Sequence, residues 1–392
     1  MQVLSLGPLR GLGVPWQPRP GSYALTVVAK ATFDLRPVVS PLAEQQDDPN
    51  EDDNHWDDDP AKSVYAPNDA APFKPRADVV LVGDAFAPHR EPVRSLVARV
   101  VVAGLDKSIE VFGNRTFASS GAPRDAAPFV KMPLRYERAA GGPDTDNPVG
   151  LGPDAAAAPN LVRPGATVAR GAVVEPVGFG PLAPSWPVRA RLLARANGWT
   201  PKHLAEQPVP EQLPSSFFNV APVDQQVYRL AADEHLVLEN LSAEHPLLVT
   251  NLPGVAARAF ARRDGDLEEV KLSPDTLWID TSRGVATLVF RGQLALSRRS
   301  EPGTLFVLTE EAARPLTWAE VKRACDGAPR EVAPSAPRLP SLIASDGTID
   351  SADLATNALR ALPFAPRPRR PSTPPVAPPR PRPALPFAAE ES

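Results

Sequence analysis

The sequence predicts a mainly β protein made of antiparallel sheets, sandwich or barrel-like, with long Gly/Pro-rich loops, a few short helices and a disordered Pro-rich C-terminal tail. Fifty of the 392 residues are proline, more than twice the usual share of about 5%. Proline lacks a backbone N–H and clashes with the preceding turn inside a helix, so this composition disfavours helical bundles. Several segments alternate apolar and polar residues with a period of two, which is typical of half-buried strands.

The clearest strand covers residues 23–35. One face carries Tyr23, Leu25, Val27, Ala29, Ala31 and Phe33, and the other carries Ala24, Thr26, Val28, Lys30, Thr32 and Asp34. Because the polar residues gather on the second face, the pattern predicts an antiparallel strand with only one face on the core.

Further strands follow from the same alternation and from β-branched runs. We predict them at residues 78–87, 95–103, 107–112, 236–241, 247–252, 277–280, 285–291 and 305–309. Short turns are expected at residues 104–106, at the dipeptide Asp264-Gly265 and at residues 282–284. Asp-Gly is a strong hairpin signal because both residues tolerate a positive φ.

Helix signals are few. Three helices are expected within residues 1–326: residues 188–196, a short helix capped by Thr200 with Pro201 at its first position, and a helix to Cys325 opened by a capping box of Thr317 and Glu320. Residues 121–185 are dense in Gly and Pro, which predicts irregular structure. Their apolar residues Val173, Val174, Phe179 and Leu182 are expected to pack within it.

Residues 44–59 form an acidic segment with nine carboxylates and few apolar residues. Such a segment buries too little apolar surface to offset its ordering entropy, so we predict a mobile surface loop. Calcium binding is the alternative, but the segment lacks the spacing and the central glycine of a calcium loop.

Composition divides the chain into three parts. Residues 1–326 are predicted to be a β-rich globular region, with residues 200–230 as a candidate boundary between two subdomains. Residues 327–362 read as a linker with a short helix, and residues 363–392 as a disordered tail of alternating Pro and Arg.

Charge and cysteine content exclude several classes of protein. The net charge of −4 does not resemble the basic footprint of a nucleic-acid binder. Cys325 is the single cysteine, which excludes an internal disulfide and a cysteine-based zinc site.

Residues 1–20 lack the pattern of a signal peptide, and no apolar run reaches the length of a membrane span. We therefore expect a cytoplasmic location, no membrane insertion, no nucleic acid and no cofactor.

Catalytic motifs are absent from the sequence. The five histidines show no paired metal-ligand spacing, and no nucleophile elbow occurs. The triplet Tyr136, Glu137 and Arg138 could supply a general acid with a tuned pKa. A structural node of salt bridges and hydrogen bonds is the favoured interpretation of this triplet.

The tail contains one internal repeat. Ala361-Leu362-Pro363-Phe364 recurs as Ala384-Leu385-Pro386-Phe387. Apolar residues gain nothing from a core in such a segment, whereas spaced anchors on an extended chain suit docking into the groove of a partner. Phe364 and Phe387 are therefore candidate protein-binding residues.

Eight short segments between about residues 20 and 300 carry a family resemblance. They are Lys30-Ala-Thr-Phe33-Asp34, Pro72-Phe-Lys-Pro75 with Asp78-Val-Val-Leu-Val-Gly83, Val111-Phe-Gly-Asn-Arg115, Met132-Pro-Leu-Arg-Tyr-Glu-Arg138 with Gly141-Gly142, Asn147-Pro-Val-Gly150, Pro159-Asn-Leu161, Gly178-Phe-Gly-Pro181 with Trp186-Pro187, and Phe217-Phe-Asn-Val-Ala-Pro222 with Asp224-Gln-Gln226. In order and spacing they resemble the bacterial family catalogued as domain of unknown function 2169, which is met beside type VI secretion genes.

The resemblance implies a non-enzymatic adaptor or chaperone. Such a protein would bind a type VI secretion effector and help load it onto the trimeric spike protein or its PAAR-type tip. The candidate protein-binding residues are Tyr136, Glu137, Arg138, Phe179, Trp186, Phe218, Asp224, Gln225, Phe364 and Phe387. Ala140 stands where the family pattern leads us to expect an aromatic residue.

Two alternatives stay open at this point. The first is a hydrolase acting on carbohydrate or cell-wall material, built on a β-sandwich, with Glu137 and Asp224 as its first candidate carboxylates. The second is a structural component that is itself exported.

Overall fold

Strands carry most of the regular structure in the computed structural model, which describes residues 1–328. The twenty strands of that part are β1 (Gln2–Ser5), β2 (Arg10–Arg19), β3 (Ser22–Asp34), β4 (Val38–Val39), β5 (Asn54–His55), β6 (Val64–Ala66), β7 (Ala77–Val82), β8 (Asp84–Phe86), β9 (Ser95–Val102), β10 (Leu105–Phe112), β11 (Lys131–Pro133), β12 (Leu161–Val162), β13 (Gln226–Val227), β14 (His235–Glu239), β15 (Leu247–Asn251), β16 (Val255–Arg263), β17 (Asp266–Val270), β18 (Ser273–Asp280), β19 (Val285–Leu296) and β20 (Thr304–Glu311). The predicted linker helix and the Pro/Arg-rich tail lie outside the described residues.

Helices are short and few in this part of the chain. The α-helices are α1 (Pro187–Leu193) and α2 (Trp318–Asp326), and single 3-10 turns occur at Trp56–Asp58, Pro88–Arg90, Tyr136–Arg138, Ala194–Ala196, Pro201–His203, Ser215–Phe218 and Val223–Gln225. The predicted fold class, mainly β with a few short helices, is confirmed.

Two six-stranded sheets form the body of the fold. The central sheet has the order β13-β7-β18-β19-β3-β2, and the outer sheet has the order β12-β10-β9-β14-β15-β4. A four-stranded sheet, β1-β20-β16-β17, and the pairs β11-β8 and β5-β6 complete the strands. Most pairs are antiparallel, but β7–β18, β1–β20 and β15–β4 are parallel.

The main core lies between the central and outer sheets. Phe33, Leu81 and Leu288 of the central sheet cluster with Ile109 and Leu236 of the outer sheet, and all five are buried. Residues of β9 alternate between buried and more exposed, as expected for a sheet with one face on the core. Full burial of each large apolar side chain stabilises the fold by roughly 1.5–3 kcal/mol.

The prediction for β3 is wrong about its second face. Every residue from Ala24 to Phe33 is buried, including Thr26, Lys30 and Thr32. A cover layer, defined as residues 46–74 and 196–222, packs on this side of the central sheet and shields it from water. The polar residues on that face therefore meet hydrogen-bond partners in the cover layer instead of solvent.

The acidic segment is bound to the central sheet, which corrects its interpretation as a mobile surface loop. Both hydrogen-bonding atoms of the Gln46 amide bond the backbone of Thr32, at 2.8 and 2.9 Å. Strand β5 pairs with β6, and Trp56 packs edge-on against Tyr65 with ring centroids 4.7 Å apart. A few amide and aromatic anchors thus hold a segment that its carboxylates alone predict to be loose.

Most of the predicted turns and helices agree with the structure. Asp264 and Gly265 have φ values of 50° and 98° at the β16–β17 turn, as the hairpin rule requires. Helix α2 begins after Thr317 with the predicted capping box, and helix α1 falls within residues 188–196 except for its first proline. The β9–β10 turn is shorter than predicted, because β10 already begins at Leu105.

The Gly/Pro-rich region is irregular, as predicted, but only some of its apolar residues are buried. Phe179 and Leu182 are buried, whereas Val173 is 93% exposed.

Residues 1–328 belong to one compact unit, and a subdomain boundary at residues 200–230 stays a prediction. Neither helix of that unit is long and apolar enough to cross a membrane.

Candidate functional site

Residues from several of the eight sequence segments meet at two places in the fold. Some of their residues lie in a buried ionic layer between the central sheet and the cover layer. Others line an open groove at the ends of β10, β11 and β12. We call these the ionic layer and the arginine groove.

Asp78 on β7 is the centre of the ionic layer. Its carboxylate lies 2.8 Å from the ammonium of Lys74, and both side chains are almost completely buried. It also accepts hydrogen bonds from the backbone N–H groups of Val220 and Ala221, at 2.9 and 3.3 Å, and from the amide of Asn219 at 2.9 Å. One carboxylate therefore fastens residues 219–221 of the cover layer to the central sheet.

Two further ion pairs extend this layer. Lys30 on β3 lies 3.0 Å from the carboxylate of Asp69, and both side chains are about 95% buried. Arg291 on β19 pairs with Asp275 at 2.5 Å and donates to the backbone carbonyls of Asp69 and Ala71. Buried charges are tolerated when they are paired and hydrogen-bonded, and these pairs meet that condition.

Gln225 joins the layer to the outer sheet. Its amide donates to the carbonyls of Val79 and Phe179 at 2.7 and 2.8 Å, and it accepts from Lys107 at 2.7 Å. Desolvation lowers the pKa of the Lys107 ammonium, and the carboxylate of Asp224, 2.8 Å away, opposes that shift.

The arginine groove consists of two adjoining cavities of about 360 and 450 Å³, which share Asn114, Ala157 and Asn160. Its charged lining is Arg94, Arg115, Arg124, Arg135, Arg138 and Lys62 on the basic side, with Asp125 and Glu137 on the acidic side. Six cations thus face two carboxylates, in a protein whose net charge is −4.

An amide network positions the groove. The Asn160 side chain donates to the carbonyl of Phe112 at 3.0 Å and to the side-chain oxygen of Asn114 at 3.3 Å. Arg138 donates to the side-chain oxygens of Asn114 and Asn160, each at 3.2 Å. Backbone bonds from Phe112 to Asn160 and from Asn160 to Arg138 complete it. Three loops distant in sequence are thereby held together.

Four arginines of the groove lack a carboxylate partner among residues 1–328. Arg94 donates to the carbonyl of Ala126 and Arg115 to that of Pro159, and Arg138 uses only amide oxygens. No carboxylate of the described chain lies within 4.0 Å of these three guanidinium groups or of Arg124. No ion pair within the described chain neutralises their positive charge.

The other two cations share one acid. Asp57 lies 2.6 Å from Lys62 and 3.0 Å from Arg135. Hydrogen bonds from Lys62 and Arg135 lower the pKa of Asp57 below its ordinary value. The cavity that Lys62 and Arg135 line is consequently less positive than the cavity that Arg94, Arg115 and Arg124 line.

Arg115 is the most confined of the unpaired arginines. Its guanidinium carbon lies 3.6 Å from the ring centroid of Phe112, and its Nε is buried and bonds no other residue. Burial lowers the pKa of its guanidinium. A charge held this way is stabilised by an incoming anion more than a fully hydrated charge would be.

Among the predicted binding residues, Glu137 and Arg138 lie together in the groove. Glu137 accepts hydrogen bonds from the backbone N–H and the hydroxyl of Ser63, at 2.7 and 2.8 Å. The favoured interpretation of the Tyr136–Arg138 triplet as a structural node therefore agrees with these contacts.

Tyr136, Phe179 and Trp186 are buried in the described structure. The rings of Tyr136 and Trp186 meet edge-on at 5.0 Å, and the Tyr136 hydroxyl donates to the carbonyl of Gly180. Burial raises the pKa of Tyr136. A Cβ at Gly178 would lie 2.4 Å from the Tyr136 ring, so glycine is required there for close approach. These side chains offer no free docking surface.

The remaining candidate binding residues also include both buried and exposed side chains. Phe218 is buried against Phe73 with ring centroids 5.1 Å apart, and Gln225 belongs to the ionic layer. Asp224 is exposed beside Lys107, while Phe364 and Phe387 lie outside the described residues.

Sequence reasoning missed most of the groove. Asn114, Arg115 and Asn160 stand within the quoted segments, so those segments were the available signal. Arg94 and Arg124 lie outside those segments and had no sequence signal, because only the fold brings their two loops to the same cavity. Ala140 lines a separate apolar cavity of about 90 Å³ near Gly141.

Glu137 and Asp224, the carboxylates predicted for a hydrolase, lie in separate hydrogen-bonding environments. Glu137 is bound by Ser63 and Asp224 by Lys107, so each carboxylate has its own partner. Among residues 1–328, no three His, Cys, Asp or Glu side chains are grouped to hold a metal ion.

Comparison with known proteins identifies the family. No curated protein and no solved structure matches the chain. The profile of a bacterial family, described as an uncharacterized protein conserved in bacteria (DUF2169), matches residues 21–291, which is more than half of the chain and includes both the ionic layer and the groove. The chain therefore belongs to the DUF2169 family.

Proposed function

We propose that this protein is a cytoplasmic, non-enzymatic adaptor or chaperone that binds a type VI secretion effector and helps load it onto the spike or its PAAR-type tip. The observation that carries the proposal is the arginine groove. It is an open surface positioned by an amide network, and four of its arginines have no carboxylate within 4.0 Å among residues 1–328. Accessible charge without an ion-pair partner is typical of a binding site.

The rest of the fold supports the same role. The ionic layer uses the motif residues Lys30, Lys74 and Asp78 to fix the cover layer to the central sheet, and the amide network of Asn114, Arg138 and Asn160 holds the groove loops together. Rigid support of a recognition surface reduces the conformational cost of binding. Loops that carry recognition residues on a β scaffold are a common arrangement for protein-binding proteins.

A hydrolase is the weaker candidate. General acid catalysis needs a carboxyl group placed to transfer a proton to a substrate. Glu137 accepts two hydrogen bonds from Ser63, and Asp224 forms an ion pair with Lys107. Nothing in the geometry of these two carboxylates favours acid–base catalysis over a structural role.

The test is co-purification of the full chain with its genetic neighbours. The tagged protein is co-expressed with the effector, the spike protein and the PAAR-type protein encoded beside it. We expect a stable complex with the effector, and loss of effector from the secreted fraction when this chain is deleted. Unchanged secretion together with failure to bind any of the three would contradict the proposal. Secretion-dependent appearance of the chain in the medium would favour an exported component.

The tail repeat has its own test. Truncation after Pro363 removes Phe364 and Phe387. If the two anchors dock on a partner, the truncated chain should bind that partner more weakly, because two linked sites raise the effective concentration. Unchanged binding would remove the tail from the proposal without affecting the groove.

A further inference from the structure

We propose that the arginine groove binds an extended acidic segment of a partner protein. This inference rests on the proposed adaptor function and names the chemistry that the partner must present. The segment would carry several Asp or Glu side chains along the groove.

Charge complementarity is the first argument. Arg94, Arg115, Arg124 and Arg138 have no carboxylate within 4.0 Å among residues 1–328. A guanidinium group presents a planar fork of donors that matches a carboxylate, and such charge-assisted pairs are stronger than neutral hydrogen bonds. Clustered like charges repel one another, so carboxylates entering the groove also relieve that repulsion.

The shape of the groove argues for a chain rather than a single anion. Its two cavities adjoin through Asn114 and Asn160, and each is larger than one carboxylate or phosphate group. Basic side chains line both, with Arg94 and Arg124 in one cavity and Lys62 and Arg138 in the other. An extended peptide can occupy both cavities at once, whereas a lone ion occupies one.

Nucleic acid fits this groove less well. Single strands bind where bases stack on exposed aromatic faces. The two aromatic rings beside the groove already carry a guanidinium over one face: Arg115 covers Phe112 at 3.6 Å and Arg135 covers Trp56 at 3.8 Å.

The chain's own tail is excluded by its charge. Residues 363–392 contain five arginines and only two acidic residues, so they carry the same sign as the groove. The Pro/Arg-rich residues 363–392 therefore do not supply the acidic segment.

The experiment measures binding of a fluorescein-labelled peptide of alternating Glu and Ser to the full chain. The double variant Arg94→Glu/Arg124→Glu reverses two groove charges at exposed positions. The matched control Arg298→Glu/Arg299→Glu makes the same charge change at two exposed arginines outside the groove. We expect the groove variant to bind at least about tenfold more weakly, and the control to bind as the wild type does. Binding should weaken as added salt shortens the screening length from about 10 Å to about 3 Å.

Several results would overturn the inference. They are no binding of the acidic peptide, equal loss in both double variants, or tighter binding of inorganic phosphate or a single-stranded oligonucleotide. Failure of the adaptor function looks different. If the peptide binds in the groove but no secretion effector co-purifies, the groove inference stands and the adaptor role falls. If the effector binds the groove variant as tightly as it binds the wild type, the adaptor role stands and the groove inference falls.

Discussion

The ionic layer and the arginine groove use the same kinds of side chain in opposite ways. In the ionic layer, Lys74 and Asp78 are 2% and 0% exposed and lie 2.8 Å apart. In the groove, Arg138 meets only the amide oxygens of Asn114 and Asn160, at 3.2 Å. Lys74 is thus paired inside the protein, whereas Arg138, like Arg94, Arg115 and Arg124, is held in position without a carboxylate within 4.0 Å among residues 1–328.

This difference separates residues that hold the fold from residues available to a partner. Removing Asp78 would leave the buried N–H groups of Val220 and Ala221 without their acceptor. Removing Gln225 would take a donor from the buried carbonyls of Val79 and Phe179. The groove arginines border a cavity, so their loss exposes no buried acceptor of opposite charge. Stability and binding should therefore respond to different substitutions.

The largest effect is expected for Asp78→Ala. The change leaves the Lys74 ammonium buried without its carboxylate, and the backbone N–H groups of Val220 and Ala221 lose their acceptor. Breaking a buried pair in this way costs about 3–5 kcal/mol. Urea unfolding of the variant should show a midpoint far below that of the wild type.

The control for this variant is Asp106→Ala. Asp106 pairs with Arg99 on the surface, and both side chains are well exposed. Surface ion pairs contribute little to stability, so its unfolding should match the wild type. Equal destabilisation by the two variants would remove the distinction between the ionic layer and surface pairs.

Gly113→Ala tests whether the groove depends on backbone packing. A Cβ at this position would lie 1.7 Å from the carbonyl oxygen of Ala127, which belongs to the groove lining. Overpacking of this kind costs about 1–3 kcal/mol, and the shift should also weaken binding of the acidic peptide.

Gly152→Ala is the matched control. Its Cβ would meet only the carbonyl of Gly141, at 3.9 Å. If both glycine variants unfold alike and both retain peptide binding, the close approach at Gly113 does not shape the groove.

Sequence patterns predicted the strands and turns because those signals are local. The alternation in residues 95–102 and the Asp264-Gly265 dipeptide each require only neighbouring residues. The cover layer has no such periodicity, so nothing local showed that it would bury the second face of β3. Lys30 was consequently read as a solvent-facing residue, although it pairs with Asp69.

The candidate site was harder to predict for a related reason. Its contacts join residues that are far apart in sequence, such as Asp78 with Asn219 and Arg138 with Asn114. Sequence segments indicated which residues matter but not whether they are buried or accessible. Phe179 was therefore chosen as a binding residue although it belongs to the core.

The ion pair of Arg263, at the end of β16, with Glu301 tests whether a partly exposed pair contributes to stability in a pH-dependent way. Hydrogen bonds from the Ser297 hydroxyl and backbone, assisted by Arg263, lower the pKa of Glu301 from 4.5 to about 2. Because the folded pKa is depressed, the stabilisation is present above pH 4.5 and is lost as the pH falls toward 2.

The variant Glu301→Gln should therefore differ from the wild type at pH 7 and approach it in acid. Thermal unfolding of both proteins between pH 7 and pH 3, followed by circular dichroism, measures this convergence. A constant difference over that range would show that proton binding at Glu301 is not linked to folding.

The smallest effect on stability is expected for Arg94→Glu/Arg124→Glu, the variant that should most reduce peptide binding. Both side chains are exposed, and surface substitutions of this kind change stability by no more than about 0.5 kcal/mol. Loss of the Arg94 bond to the Ala126 carbonyl at 2.6 Å is offset by weaker repulsion among the remaining arginines. Urea unfolding beside the Arg298→Glu/Arg299→Glu control measures the difference. A loss near the ~1–3 kcal/mol of an unsatisfied buried group would mean that these arginines hold the fold, as the ionic layer does. In that case their lack of carboxylate partners would no longer indicate a site kept for a partner.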